Sequence, residues 1–200
     1  MNLLGAALKI GLWVAIFTLF SSSFACAESN VYNTYISADA GKISAPGFKW
    51  ADWGRTKYAG DALRVVWSVQ PVQGWGTEMT VMSSLGAGCG GCSGSQPSGI
   101  KQMISANAFE LQDIYVYPVN DRVSIFGKVG FAYTRYKAEV ASGLTIDQKG
   151  IGIAGGIGMQ FNLYRRFGAR IQYEEFGANS GQGGPNRFRY LSVGWIFRLK

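Results

Sequence analysis

The chain has 200 residues, 48% of them hydrophobic and 14% aromatic, with a formal net charge of +7 and no histidine. The missing histidines exclude the most common general base and most histidine-dependent catalytic triads. The positive surplus favours an anionic partner, such as lipid headgroups, lipopolysaccharide phosphates or nucleic acid.

Residues 1–27 have the organisation of a secretory signal peptide. Lys9 supplies the positive charge, residues 10–20 form the apolar core, and Ala25-Cys26-Ala27 offers a small-residue cleavage site. The apolar run is shorter than the roughly 20 residues of a membrane-spanning helix. We therefore expect a cleaved signal over 1–27 and one mature domain over 28–200. Acylation of Cys26 is the weaker alternative, and export makes nucleic acid the least expected partner.

Eight segments of alternating polar and apolar residues follow. They predict strands near 35–43, 63–70, 75–85, 108–117, 123–136, 150–163, 167–176 and 188–199. Three connections are short and turn-like, at 71–74, 118–121 and 164–166. The other four are long and rich in Gly, Ser, Asn, Lys and Pro. Short and long connections alternate, which places every short turn at one end, as in transmembrane barrels.

The strand over Val123–Tyr136 has two unlike faces, which a soluble sandwich and a membrane barrel would orient oppositely, and the pattern of connections favours the barrel. One set of alternate positions is apolar throughout, whereas the other is mostly small or polar and carries Lys128 in mid-strand. Membrane barrels turn the apolar face to lipid and the polar face to the lumen. A strand in lipid cannot leave its backbone groups unpaired, so the sheet must close. The prediction is all-β: an eight-stranded antiparallel up-and-down transmembrane β-barrel with a packed polar lumen.

Alternation places seven charged side chains in this lumen: Asp39, Arg64, Glu78, Glu110, Lys128, Arg170 and Glu174. Each would be costly alone at low dielectric, so they are predicted to pair. A structural plug is the favoured interpretation, and a gated lumen or a catalytic carboxylate pair is the alternative. Asp113 falls on the lipid face by strict alternation, unless a bulge turns it inward.

Two further groups of residues stand out, and neither predicts a metal or a cofactor. Cys89 and Cys92 lie in the second long loop, without a helix start for redox chemistry or two further ligands for zinc. A local disulfide is predicted, since the loop is on the exported side. Tryptophans are predicted at the membrane interface, with ligand or host contact as the alternative for the first two: Trp50, Trp53, Trp75 and Trp195.

Short motifs in five of the predicted strands resemble the membrane domain of the outer-membrane protein A family and the small opacity-type barrels. They are Gly76-Thr77-Glu78-Met79, Tyr117-Pro118, Ile125-Phe126-Gly127-Lys128-Val129-Gly130, Gly158-Met159-Gln160-Phe161 and Ala169-Arg170-Ile171-Gln172-Tyr173-Glu174. The resemblance implies an eight-stranded barrel in a Gram-negative outer membrane, with both termini periplasmic. It also implies a lumen closed by charge pairs, with Lys128 and Arg170 as partners of Glu78. Ile114 and Gln160 stand where the family has further lumenal charges.

The predicted function is that of a non-enzymatic outer-membrane barrel that stabilises the envelope or presents loops for adhesion. A small porin-like channel or ligand carrier is the alternative. A lipid-modifying enzyme is disfavoured, because the outer-membrane barrel enzymes depend on histidine. Expected partners are outer-membrane lipid and lipopolysaccharide, the barrel-assembly machinery during insertion, and a host or polysaccharide ligand at the loops.

Overall fold

A computed structural model describes residues 32–49, 55–85, 87–88, 100–140, 145–177 and 187–199. Several predictions fall outside these ranges: the signal peptide over 1–27, the loop tryptophans Trp50 and Trp53, and the disulfide of Cys89 with Cys92. Within the described ranges there is no helix with the length and apolarity needed to cross a membrane.

The described residues form antiparallel strands. They are β1 (Tyr32–Lys49), β2 (Arg55–Pro71), β3 (Gly74–Ser84), β4 (Ala87–Gly88), β5 (Ile100–Pro118), β6 (Val123–Val140), β7 (Thr145–Asn162), β8 (Phe167–Gly177) and β9 (Arg187–Arg198). Apart from β3 and β4, strands that follow each other in sequence pair, and β1 also pairs with β9. β3 pairs with β5, and the short β4 continues the same edge of β5. The eight long strands therefore close into a barrel, which confirms the predicted fold.

The two faces of each strand are opposite in character. Large apolar side chains on the outside are exposed, for example Val129 at 55% and Ile153 at 71%. Lys128, the neighbour of Val129 in the chain, is 5% exposed because it points inward. The period of two residues explains this contrast. The barrel is thus apolar outside and polar inside, the arrangement that the strand over Val123–Tyr136 predicted.

Three tight connections lie at one end of the barrel, which we call the short-turn end. Gly74 closes the β2–β3 turn with a φ of 113°, a conformation that favours glycine. In the β5–β6 turn the Asn120 side-chain oxygen accepts hydrogen bonds from the backbone N–H groups of Arg122 and Val123, both at 2.9 Å. Such side-chain bonds hold the chain in a turn.

At the opposite end, which we call the loop end, the strands run further than predicted. β5 begins at Ile100 rather than near 108, and β6 continues to Val140 rather than ending at Tyr136. The outward positions there are charged, as at Arg135 and Lys149. The apolar alternation ends at about Tyr133 because the outer face no longer meets lipid, although the hydrogen-bonded ladder goes on.

The lumenal charge network as candidate functional site

The structure places all seven predicted lumenal charges inside the barrel, each at most 5% exposed. They come from six strands: Asp39 from β1, Arg64 from β2, Glu78 from β3, Glu110 from β5, Lys128 from β6, and Arg170 and Glu174 from β8. All occupy inward positions of the alternation. Side chains that are far apart in sequence therefore meet across the lumen.

Glu78 on β3 lies between two cations, Lys128 from β6 and Arg170 from β8 on the opposite wall. The Lys128 Nζ donates to Glu78 Oε1 at 2.9 Å. The Arg170 guanidinium donates from Nη1 and Nη2 to Glu78 Oε2, each at 3.1 Å. These are the two partners that the family resemblance assigned to Glu78.

Arg64 joins two other acids. Its Nε and Nη2 donate to Asp39 Oδ2 at 3.0 and 2.8 Å, and its Nη1 donates to Glu174. Lys128 connects this group to Glu78, since its Nζ lies 3.0 Å from Glu174 Oε2. The result is a continuous chain of alternating sign: Asp39, Arg64, Glu174, Lys128, Glu78 and Arg170.

Neutral polar side chains, which were not among the predicted site residues, complete the network. Gln172 Nε2 donates to Asp39 Oδ2 at 3.0 Å, and its Oε1 accepts from Arg170 at 2.7 Å. Gln112 donates to Glu174, and the Ser37 hydroxyl donates to Asp39 at 2.8 Å. Their inward positions were readable from the alternation, but a neutral side chain gives no charge signal.

Apolar layers lie on both sides of the charges. Towards the loop end a buried cluster includes Tyr136, Phe176 and Phe188. Towards the short-turn end a smaller cluster consists of Ile114, Val116 and Phe126. Ile114, which stands where the family has a lumenal charge, belongs to this layer. The ion pairs are thus enclosed between two apolar layers, where water cannot easily replace them.

Glu110 differs from the other lumenal acids. It is fully buried, yet neither of its carboxylate oxygens receives a hydrogen bond from a described protein donor. The hydroxyl of Thr80, directly opposite on β3, also has no described partner. An ionised carboxylate in this condition is among the most unfavourable groups a protein can bury.

Asp113 points outward. The ladder around it has no bulge, and its inward neighbours Gln112 and Ile114 are fully buried. The Thr77 hydroxyl on β3 lies 3.4 Å from Asp113 Oδ1. Strict alternation therefore holds at this position.

Aromatic side chains collect on the outer face near the short-turn end. Trp75 packs against Tyr115 with ring centroids 5.1 Å apart, and Phe167 packs against Phe197 at the same distance. Trp195 is 67% exposed. These positions suit rings that settle at the level of lipid headgroups.

The loop end carries exposed ion pairs beyond the apolar band. The Arg135 Nε donates to Asp147 Oδ1 at 2.9 Å, and this hydrogen bond holds the pKa of Asp147 below its ordinary value. Arg189 donates to Glu175 at 2.9 Å. No cluster of three or more potential metal ligands occurs among the residues for which the structure gives positions.

An antiparallel barrel that is closed, apolar outside and charged inside defines a class, the outer-membrane β-barrels of Gram-negative bacteria. The chain belongs to the family of outer membrane protein beta-barrel domains, whose model matches residues 12–197. The predicted resemblance and the outer-membrane location are thereby confirmed.

Solved structures of small bacterial barrels share the fold. Neisserial surface protein A matches with a TM-score of 0.62 and 14% identity over 82% of this chain and 96% of its own. OprG from Pseudomonas aeruginosa matches with a TM-score of 0.56 and 14% identity over 84% and 96%. Ail of Yersinia pestis, solved with the heparin analogue sucrose octasulfate, matches with a TM-score of 0.53 and 15% identity over 84% and 97%. No curated protein sequence matches.

Proposed function

We propose that this protein is a non-enzymatic barrel that stabilises the outer membrane, with a sealed lumen and with loops available for contact at the cell surface. The observation that carries the proposal is the chain of six alternating charges between two apolar layers. Some of its links join strands that are not neighbours in the sheet, as in Arg64 of β2 with Glu174 of β8 and Glu78 of β3 with Arg170 of β8. The network thus ties the barrel wall together across its interior.

Opening a passage through this lumen would require several buried charges to lose their partners at once. Removing one partner of a buried pair typically costs about 3–5 kcal/mol. The apolar layers on either side would also have to admit water. We therefore expect the native barrel to pass no small solute.

A liposome-swelling assay tests this expectation. Vesicles that contain the purified protein are diluted into isotonic solutions of a small sugar or a small amino acid, with a general porin as the positive control. The proposal predicts no swelling above protein-free vesicles. Swelling at a rate that grows with the amount of protein would favour the porin-like alternative.

A second candidate function is binding of a polyanion at the loop end. Among the side chains described at this end, exposed or half-exposed basic groups outnumber the acids Asp61, Asp147 and Glu175: Lys42, Arg135, Lys137, Lys149, Arg187 and Arg189. Ail, which has the same fold, was solved with a heparin analogue. A sulfated or phosphorylated polysaccharide would suit such a surface.

Heparin-affinity chromatography of the detergent-solubilised barrel tests this function. Replacing Lys149 and Arg187 by glutamate is expected to lower the salt concentration at which the protein elutes. Replacing Arg165 and Arg166 by glutamate at the short-turn end is the matched control, because it changes the net charge by the same amount at the opposite end of the barrel. Equal effects of the two changes would contradict a site at the loop end.

A further inference from the structure

The buried charges of the lumen do not balance. Among the residues that the structure describes, four buried acids face three buried cations, all of them at most 5% exposed: Asp39, Glu78, Glu110 and Glu174 against Arg64, Lys128 and Arg170. With every group ionised, one negative charge is left uncompensated. A buried net charge is strongly unfavourable, and proteins usually remove it by binding a proton or a counter-ion.

The hydrogen bonds show which acid carries the excess negative charge. Asp39 accepts from Arg64, Ser37 and Gln172. Glu78 accepts from Lys128 and Arg170. Glu174 accepts from Arg64 and Gln112 and contacts Lys128, whereas Glu110 accepts from no described protein donor.

The contacts of Glu110 indicate how the charge is removed. Gln112 lies two positions from Glu110 on the inward face of β5 and donates to Glu174, which brings the carboxyl groups of Glu110 and Glu174 together. Lys128 and Arg64 are the other charged neighbours of Glu110. Two ionised carboxylates repel each other and have no hydrogen to share. One added proton converts this contact into a hydrogen bond. Glu174 already has three partners that favour its ionised form, namely Arg64, Gln112 and Lys128. The proton therefore belongs on Glu110.

We propose that Glu110 is a proton-binding site in the lumen, a neutral carboxylic acid at pH 7 that donates a hydrogen bond to Glu174. The bound proton brings the buried charge to zero. This site deepens the proposed sealing role of the lumen. It is tested by spectroscopy and unfolding rather than by solute passage, so either proposal can fail alone.

Infrared spectroscopy of the barrel in lipid vesicles reports the proton directly. A protonated carboxylic acid has a carbonyl stretch that is separate from the carboxylate bands and shifts in D2O. At pH 7 we expect this band in the wild type and its loss in Glu110→Gln. Asp113→Asn is the matched control, because Asp113 is a second acid in the spanning region but points outward; its substitution should leave the Glu110 band in place.

Unfolding in urea gives an independent readout. Above about pH 4.3 the unfolded chain loses the Glu110 proton, which the folded barrel keeps, so stability falls as the pH rises. One extra proton in the folded state raises the unfolding equilibrium constant about tenfold per pH unit. Glu110→Gln should fold, since its amide can also donate to Glu174. The fall of its unfolding free energy with rising pH should be less steep than in the wild type, by the amount that corresponds to one proton.

The proposal would be overturned by an absent band in the wild type at pH 7, by a band that survives in Glu110→Gln, or by equal pH slopes for the two proteins. A wild-type barrel that is more stable in sodium than in choline salts, but shows no carbonyl band, would also overturn the proposal if Glu110→Gln lacks this difference. A sodium ion rather than a proton would then neutralise Glu110. Failure of Glu110→Gln to fold would contradict the proposal as well, since glutamine resembles the neutral acid.

Discussion

Lys128 is buried between Glu78 and Glu174, and its ammonium group lies 2.9 and 3.0 Å from their oxygens. Lys128→Met would keep most of the side-chain volume but leave both acids with one cation fewer. We expect the free energy of unfolding to fall by about 3–5 kcal/mol, measured by urea titration in lipid vesicles.

The control for this change is Lys42→Met. Lys42 also forms an ion pair, with Asp61 at 2.5 Å, but both side chains are more than half exposed. Exposed pairs contribute little, so no clear change in stability is expected. A comparable loss of stability in the two variants would show that the buried network contributes no more to the free energy of unfolding than an exposed ion pair does.

Asp147 offers a prediction outside the membrane. The hydrogen bond from Arg135 lowers its pKa, so Arg135→Gln should move that pKa back towards the ordinary aspartate value. The pair stabilises the fold above the ordinary pKa, and this contribution is lost as the pH falls through the lowered one. An NMR titration of the Asp147 carboxyl group measures the shift.

Lys149→Gln is the control for this titration. Lys149 acts on Asp147 only through its charge and more weakly than Arg135. A smaller upward shift is therefore expected. Equal shifts in the two variants would mean that net charge, rather than the hydrogen bond, sets the pKa of Asp147.

The side on which each charged residue lies could be predicted from sequence, whereas its partner could not. Period-two alternation assigns Glu110 and Glu174 to the lumen equally. The register of the strands then brings Glu174 against Arg64 and Lys128 and leaves Glu110 without a hydrogen bond from any described cation. That difference arises in three dimensions, and alternation along one strand cannot reveal it.

At the scale of the strands, glycine permits close approach at β9. A side chain at Gly194 would place its Cβ 1.9 Å from Asp39 Oδ1, the carboxyl group that holds Arg64. Gly194→Ala is expected to lower the free energy of unfolding by about 1–3 kcal/mol, because an overpacked site must shift. Gly127→Ala is the matched control on β6, since no atom lies within 4 Å of its Cβ. Equal stability of the two variants in urea titrations would refute this account of β9.

The strand ends were predictable at the short turns but not at the loop end. Pro71, Gly74 and Asn120 mark the turns chemically, and the structure places the connections there. At the loop end the outward residues become charged while the backbone pairing continues, as at Arg135. The alternation of polar and apolar residues reflects the surroundings of each strand face, and it does not indicate how far the backbone pairing extends beyond the lipid.

At the scale of the whole molecule, the sequence predicted two properties best: the closure of the sheet, and the placement of apolar side chains outside and polar side chains inside. Both follow from one constraint, that lipid offers no partners for backbone N–H and C=O groups. The eight alternating segments then predicted the strand number, and the alternation of short and long connections predicted the up-and-down order. The lumen was harder, because its packing depends on tilt and register around the complete circle.

The central claim is that the charge network seals the lumen, and single-channel recording in planar bilayers tests it most directly. Purified wild-type protein is inserted into the bilayer, with Lys128→Glu as the comparison and a general porin as the positive control for insertion. The account predicts no steady openings of the wild-type barrel. Steady wild-type openings that Lys128→Glu abolishes would contradict it, because Lys128 would then line a conducting pore.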